Sequence, residues 1–365
     1  MQRAVTTSNH APSPNRHIAM SRFLKIAILL CYLLSLIPAT YSAETSEQLI
    51  YFATNRAKHG DFYGARRNYS QDDHDLIYGK CLTTSRGNKW KFNIPTPLTR
   101  DEFLKEVQSL YDSQPNNKEI IIFVHGYNQK FKQAIKCGAI LSDDAKIPVV
   151  VFDWVSVGKL FGYNTDECNV EWSVRHFQLL MQSLVQHKEC DGEVKGLFPA
   201  QAITTVSHSM GNRIVYWYLQ SRYDNLYTKC AANIDRYKEV VLTSPDVDRM
   251  TFKSYFYKVA GNASKVRIYI SGRDKPLRLS RFLHGGYGRV GSCDPETKQE
   301  LRWELPGTIE GTETINFTDL DDKYIGHTIQ SKLIADMHNN QTLSEDGLYL
   351  EEDPVARGYF IVRKK

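Results

Sequence analysis

Several signatures of cofactor binding are absent from this 365-residue sequence. None of its seven cysteines stands at C-x-x-C spacing, which argues against a zinc or dithiol redox site. The glycine-rich run "GGYGRVG" (285–291) follows no strand directly and precedes no Lys-Ser/Thr pair, so it is not a phosphate-binding loop. We expect it to be a flexible segment near a cleft. The sequence therefore predicts neither a metal nor a nucleotide cofactor.

Acidic residues are absent from positions 1–43, which hold four basic residues. Without this segment the chain has 42 basic and 41 acidic residues, so its charge predicts no nucleic-acid partner. A basic start, an apolar run over 26–37 and then small residues predict a signal peptide over 1–43, starting at Met1 or Met20. The run is shorter than the ~20 residues that span a bilayer, although an uncleaved membrane anchor is the alternative. We expect an exported protein, periplasmic or secreted.

Six cysteines remain after this leader, and an even number in an exported chain is typical of disulfides. Cys168 and Cys190 bracket one predicted helix and would lie ~30 Å apart, too far to bond. Cys190 and Cys230 are the better pair, because they end consecutive helices expected on one face of the sheet. Six free buried thiols are the alternative.

Apolar runs alternate with helical patterns along the chain. "KEIIIFVHG", "IPVVVFDW", "ITTVSHS", "EVVLTSPDVD" and "KVRIYISGRD" each precede a helical pattern, and "ETINFTDL" precedes the last predicted helix, 327–339. Continuous apolar strands separated by helices predict an α/β fold with a mostly parallel central sheet covered on both faces. We expect an N-terminal extension over 44–115 with its first strands packed on the core, a catalytic core over 116–345 and a tail over 346–365.

Functional groups of such sheets gather at the carboxyl ends of the strands. Read in chain order, the strand ends supply Ser209, Asp274 and His327, which is the nucleophile–acid–histidine order of an α/β hydrolase. A serine hydroxyl needs a histidine to take its proton during attack. The acid fixes the tautomer of that histidine and stabilises its charged form. These three residues are the predicted catalytic group.

The tetrahedral oxyanion requires preorganised N–H donors. Met210 follows the serine directly, and Tyr127 follows the "HG" pair at the end of an earlier strand, so their backbone N–H groups are the candidates. A Cβ at Gly211 would crowd the tight turn between strand and helix. The remaining motif residues are His125, Gly126 and His208, for which packing or turn hydrogen bonds are the simpler explanation.

Other residues compete for these roles. Asp246 follows the strand after the nucleophile helix and is the alternative acid. His284 is the alternative base, and a helix-capping role is the alternative for Ser209 itself. Trp154, Phe161 and Tyr163 follow a neighbouring strand, where they either line an acyl pocket or pack.

The chain also resembles a known family, the α/β hydrolases of unknown function that occur widely in bacteria. The resemblance rests on "YFATNR", "FVHGYNQKF", "FDWVSVG", "SHSMGNR", "SPDVD", "YISGRDKPLRLS" and "RVG", in this order, over about residues 47–330. It implies the same roles for Ser209, Asp274 and His327, and it implies no substrate. Val155 departs from the proline usual in the family, which concerns the loop after Trp154.

We therefore expect an exported serine hydrolase of the esterase or lipase type. Its partner would be a small or lipid-like acyl substrate, with membrane contact as an option and no nucleic acid. An acyltransferase on the same fold and a catalytically idle envelope binding protein are the alternatives.

Overall fold

The structure is a computed structural model that describes residues 45–69, 76–115, 118–159, 161–188, 194–229, 235–292, 309–320, 327–341, 343, 347–354 and 356–365. The predicted signal peptide and the predicted Cys190–Cys230 disulfide lie outside the described residues. The three cysteines that the structure describes, Cys81, Cys137 and Cys168, form no disulfide.

The described residues form sixteen strands. These are β1 (Thr45–Thr54), β2 (Arg56–His59), β3 (Phe62–Arg67), β4 (Ile77–Arg86), β5 (Lys89–Phe92), β6 (Thr96–Leu98), β7 (Ile120–Val124), β8 (Val149–Asp153), β9 (His187–Lys188), β10 (Val194–Lys195), β11 (Ile203–His208), β12 (Tyr237–Thr243), β13 (Ala263–Ile270), β14 (Thr312–Asn316), β15 (Leu348–Glu352) and β16 (Tyr359–Lys364).

Seven α-helices lie between these strands within the described ranges. They are α1 (Arg100–Asp112), α2 (Phe131–Ala145), α3 (Tyr163–Leu184), α4 (Gly211–Lys229), α5 (Arg249–Gly261), α6 (Lys275–Leu283) and α7 (Ser331–His338). None of the helices in the described part of the chain has the length and apolar character needed to cross a bilayer.

Twelve strands form one sheet, in the order β15-β16-β14-β13-β12-β11-β7-β8-β1-β4-β5, with β6 also paired to β4. The strands from β16 to β1 are all parallel, and β15, β4, β5 and β6 add antiparallel edges. The sequence-based prediction of an α/β fold with a mostly parallel sheet is confirmed. Strands β15 and β16 fall within the predicted 346–365 tail and belong to this sheet.

Strand β7 is apolar throughout because both faces of the sheet are covered at this position. Every residue of β7, "IIIFV", is buried. Its Ile122 belongs to the core cluster that includes Phe177 of α3 and Ile214 of α4. Its Ile121 belongs to the opposite cluster, with Phe131 of α2 and Leu333 of α7. The sheet therefore has helices on both faces, as its sequence pattern predicts.

Three local features concern the ends of two helices and one loop. Thr99 caps α1, and its hydroxyl accepts the Glu102 N–H while the Glu102 side chain accepts from Thr99. The last helix begins at Ser331 rather than at residue 327, which leaves His327 on the preceding loop. At the end of the 285–291 run, the Val290 N–H donates to the Val247 carbonyl, and the Gly291 carbonyl accepts the Ser271 N–H.

A mostly buried group of charged side chains lies near the amino ends of the strands. His338, the last residue of α7, lies with Nδ1 2.5 Å from Glu239 Oε2 and with Nε2 3.1 Å from Glu119 Oε1. Arg267 pairs with Glu239 at 2.7 Å, and Lys238 pairs with Glu119. Burial alone would lower the pKa of His338, but its two glutamates outweigh that effect and raise the pKa to about 9. These ion pairs attach α7 to the sheet.

Candidate active site

Ser209 lies in the turn between β11 and α4, at the carboxyl end of the sheet. Its φ is +53°, a left-handed conformation that is rare for a residue other than glycine. A non-glycine residue in this region is strained and persists only where the surrounding structure holds it. The turn thus has the strand–turn–helix geometry of a nucleophile elbow.

Two glycines allow the backbone to approach this turn closely. A Cβ at Gly211 would lie 2.2 Å from the carbonyl oxygen of His125, which is too close for any other residue without a backbone shift. A Cβ at Gly126 would lie 2.9 Å from the Cβ of Ser209. The loop after β7 and the start of α4 are therefore packed directly against each other around the serine.

His327 and Asp274 complete a chain of hydrogen bonds that begins at Ser209. The Nε2 atom of His327 lies 2.8 Å from Ser209 Oγ, and its Nδ1 atom lies 2.7 Å from Asp274 Oδ2. Oδ1 of Asp274 accepts the Leu277 N–H at 2.8 Å and so caps α6. Three residues from distant parts of the sequence thus meet at one end of the sheet.

The electrostatics of this group follow from its burial. Asp274 is completely buried, and this raises its pKa above the ordinary value, with His327 and the Leu277 N–H acting in the opposite direction. His208 stands 4.8 Å from His327 between ring centres. The pKa of His208 is well below 6.5, mainly because the ring is buried and also because His327 and His125 are nearby. A neutral His208 adds no positive charge beside His327.

Of the two candidate oxyanion donors, Met210 directly follows Ser209 and Tyr127 directly follows Gly126. Among the residues that the structure describes, the backbone N–H of Met210 has no hydrogen-bond acceptor, and it precedes the first turn of α4. Tyr127 follows Gly126, whose α-carbon packs against the side chain of Ser209. The phenol of Tyr127 donates to the Lys159 carbonyl at 3.1 Å, which turns its side chain away along the loop after β8.

Asn212 is a buried residue that sequence reasoning did not single out. Its Nδ2 donates to the carbonyl oxygens of Ser209 and Thr243, both at 2.9 Å. Its Oδ1 accepts the Ser207 hydroxyl at 2.8 Å. One amide therefore connects β11, Ser209 and the neighbouring β12. Its position in "SHSMGNR", three residues after the serine, was the available signal.

Asp246, the alternative acid, is not brought to His327. It accepts from Tyr163 at 2.5 Å and from Ser280 at 2.6 Å. It also pairs with Arg213 at 3.2 Å and Arg289 at 3.4 Å. Burial alone would raise its pKa, but the two guanidinium groups outweigh that effect and lower it. The backbone N–H of Asp246 donates to the Ser209 carbonyl at 3.2 Å. The side chains around Asp246 are therefore joined to the turn that holds Ser209.

His284, the alternative base, is likewise held elsewhere. Its Nε2 lies 2.7 Å from Glu167 Oε1, and its Nδ1 lies 2.7 Å from the Ser280 carbonyl oxygen. Its ring packs on Tyr163 at 5.5 Å between centres, and Tyr163 in turn packs on Tyr127 at 5.3 Å. His284 therefore flanks the site without contacting Ser209.

A buried network lies behind the "HG" loop. Of the two roles that the sequence left open for Trp154, pocket lining and packing, its complete burial fits packing. Its indole stacks on His125 with an interplanar angle of 8° and donates to the His125 carbonyl at 2.7 Å. Phe161, by contrast, is 70% exposed.

The same network contains an ion pair that the sequence did not reveal. Arg56 Nε lies 2.8 Å from Asp153 Oδ2, and both side chains are almost completely buried. Arg56 also donates to the Gln129 carbonyl at 2.8 Å, in the loop that follows Tyr127. The Val155 N–H, which the family's usual proline lacks, donates to Asn55 at 2.8 Å. The early "ATNR" segment thus fixes the loops after β7 and β8.

The comparison with protein families agrees with the α/β class of this fold. Residues 100–336 match a family model described as "Alpha/beta hydrolase of unknown function (DUF900)". A search of the curated proteins finds no match to the chain. In the part of the chain that the structure describes, no three His, Cys, Asp or Glu side chains are grouped to hold a metal ion.

Proposed function

This chain belongs to the α/β hydrolase family of unknown function, and on that premise we propose that it is a serine hydrolase that cleaves an ester or related acyl bond. The observation that carries the proposal is the hydrogen-bond chain from Ser209 through His327 to Asp274. Its order and geometry are those by which a serine becomes nucleophilic near neutral pH.

The proposed reaction has two halves. Ser209 Oγ attacks the acyl carbon while His327 Nε2 accepts its proton, and Asp274 stabilises the resulting imidazolium. The Met210 and Tyr127 N–H groups donate to the oxyanion, and His327 then returns the proton to the leaving alcohol. Water, deprotonated by His327, releases the acyl group from Ser209 in the same way. The hydrogen-bond chain from Ser209 to Asp274 supports this sequence of steps.

The test is labelling by a fluorophosphonate probe, followed by a panel of acyl esters. We expect the wild type to label and the Ser209→Ala variant not to label. Ser207→Ala is the matched control, because it removes a buried hydroxyl two residues away and should retain labelling. If the folded wild type does not label, or if Ser209→Ala labels equally, the proposal is wrong.

We also propose that residues 1–43 direct export and are removed. The basic start, the apolar run and the small residues at 42–43 support this proposal. Mass spectrometry of the protein recovered outside the cytoplasm should give an N-terminus near residue 44. An intact N-terminus on the exported protein would instead favour an uncleaved anchor.

A further inference from the structure

Positive charge is concentrated in one stretch of this chain. Between Arg249 and Ser292 the sequence has ten lysine and arginine residues and a single acidic residue, Asp274, which is completely buried. Elsewhere, after position 43, acidic residues outnumber basic ones. Four of the cations are exposed around α6, at Arg273, Lys275, Arg278 and Arg281.

Large apolar side chains are exposed beside these cations. Phe282 is 66% exposed, Leu283 is 47% exposed and Tyr287 is 67% exposed, although each would gain by burial. We call the seven residues the α6 patch: Arg273, Lys275, Arg278, Arg281, Phe282, Leu283 and Tyr287. Exposed apolar groups bordered by charge mark an interaction surface more often than scattered single residues do.

The α6 patch lies next to the candidate active site. Asp274 contacts His327 and also caps α6, whose nine residues span ~14 Å. At the other end of the helix, His284 packs on Tyr163, which packs on Tyr127. A surface that docked on the patch would therefore lie close to the candidate active site.

We propose that the α6 patch docks on an anionic phospholipid bilayer. Cations contribute attraction to anionic headgroups, and exposed phenylalanine, leucine and tyrosine enter the region between headgroups and acyl chains. The combination favours a bilayer over a nucleic acid, because Phe282 and Leu283 are apolar and Leu283 has no ring to stack on a base. Docking does not require the proposed hydrolysis, so the two proposals can fail separately.

The test is co-sedimentation with vesicles, using full-length Ser209→Ala protein so that no lipid is consumed. Vesicles of phosphatidylglycerol and phosphatidylcholine are compared with vesicles of phosphatidylcholine alone. The charge variant is Lys275→Gln/Arg278→Gln/Arg281→Gln, and the apolar variant is Phe282→Ser/Leu283→Ser/Tyr287→Ser. The matched control, Lys89→Gln/Lys91→Gln/Ile94→Ser, alters exposed residues on and beside β5, at the opposite edge of the sheet. All proteins share residues 1–43, so any contribution of that segment is common to them.

We expect the charge variant to lose about a hundredfold in partition onto anionic vesicles, since each cation contributes about fivefold. The apolar variant should lose about tenfold or more, and its loss should persist at high salt. The control variant should bind like its parent.

Equal losses in patch and control variants, or no loss in either, would overturn the proposal. An apolar variant that binds fully, with heparin displacing the parent, would identify a polyanion site and overturn it too. The apolar variant removes only exposed side chains, so it keeps the test valid if the charge variant does not fold.

Discussion

Oδ2 of Asp274 lies 2.7 Å from Nδ1 of His327, while the other oxygen of the same carboxylate caps α6. One side chain thereby orients the imidazole and begins the helix that carries the α6 patch. An amide at this position can keep the helix cap, because a carbonyl oxygen accepts the Leu277 N–H equally well. It cannot stabilise a positive charge on His327, and it can hold the wrong tautomer.

Asp274→Asn should therefore lose activity without losing the fold. We expect kcat/KM for an ester substrate to fall by about 10²- to 10⁴-fold, with little change in melting temperature. Probe labelling per folded molecule checks the first expectation, and circular dichroism checks the second. Asp246→Asn is the comparison, because among the described residues Asp246 bonds to Tyr163, Ser280 and arginines rather than to His327. A larger loss of labelling in Asp246→Asn than in Asp274→Asn would contradict the assignment.

Asn212→Asp should destabilise the protein strongly, although the two side chains have the same shape. The amide nitrogen of Asn212 faces two carbonyl oxygens at 2.9 Å, and a carboxylate oxygen would repel both. We expect a loss of about 3 kcal/mol in the free energy of unfolding, against about 1 kcal/mol for Ser207→Ala, which removes one hydrogen bond. Urea unfolding monitored by fluorescence measures both. Equal stability of Asn212→Asp and wild type would show that the amide does not hold the elbow.

Gly211→Ala should also be unfavourable, in contrast with most glycine-to-alanine changes in helices. The new methyl group would lie 2.2 Å from the His125 carbonyl oxygen, so the loop after β7 must shift. We expect about 1–3 kcal/mol of destabilisation and slower probe labelling, because that loop carries the Tyr127 donor. Thermal unfolding and labelling rates check this. A variant as stable and as reactive as wild type would show that the loop after β7 can shift at no cost in free energy.

His338 should make stability depend on pH on the alkaline side of neutrality. Its pKa in the folded protein is about 9, against an ordinary 6.5, so it stabilises fully below pH 6.5 and that contribution is lost as the pH rises through 9. The loss should amount to about 3 kcal/mol at most. His338→Gln should flatten this part of the profile, whereas His59→Gln, at an exposed site, should not. Urea unfolding across this range makes the measurement, and parallel profiles for His338→Gln and wild type would contradict the prediction.

Local sequence patterns predicted the parallel sheet and the three residues that meet at its end. The runs before Ser209 and Asp274 have strand patterns, and a parallel sheet places their ends on one edge, so proximity followed from topology. His327 was predicted from its position after the last strand, although the helix there begins four residues later.

Contacts set by tertiary packing were beyond that reasoning. Arg56 and Asp153 are 97 residues apart, and neither has a local pattern that indicates a buried ion pair. Trp154 illustrates the same limit, since an aromatic residue at a strand end suits a pocket wall or a packed core equally well. Its ring stacks on His125, which follows a different strand.

The position of β1 has a consequence for how this chain folds. Thr54 pairs with Asp153, which the ribosome adds 99 residues later, and the partner on the other side of β1 is antiparallel β4. Until β8 is made, the inner edge of β1 has exposed N–H and C=O groups and an apolar surface. Parallel pairing over such a separation closes slowly, because the loop entropy is lost before the contact forms. Among the described strands, the first to be synthesised therefore stays open on one side until β8 has been made, and during that interval the unpaired edge of β1 is open to aggregation.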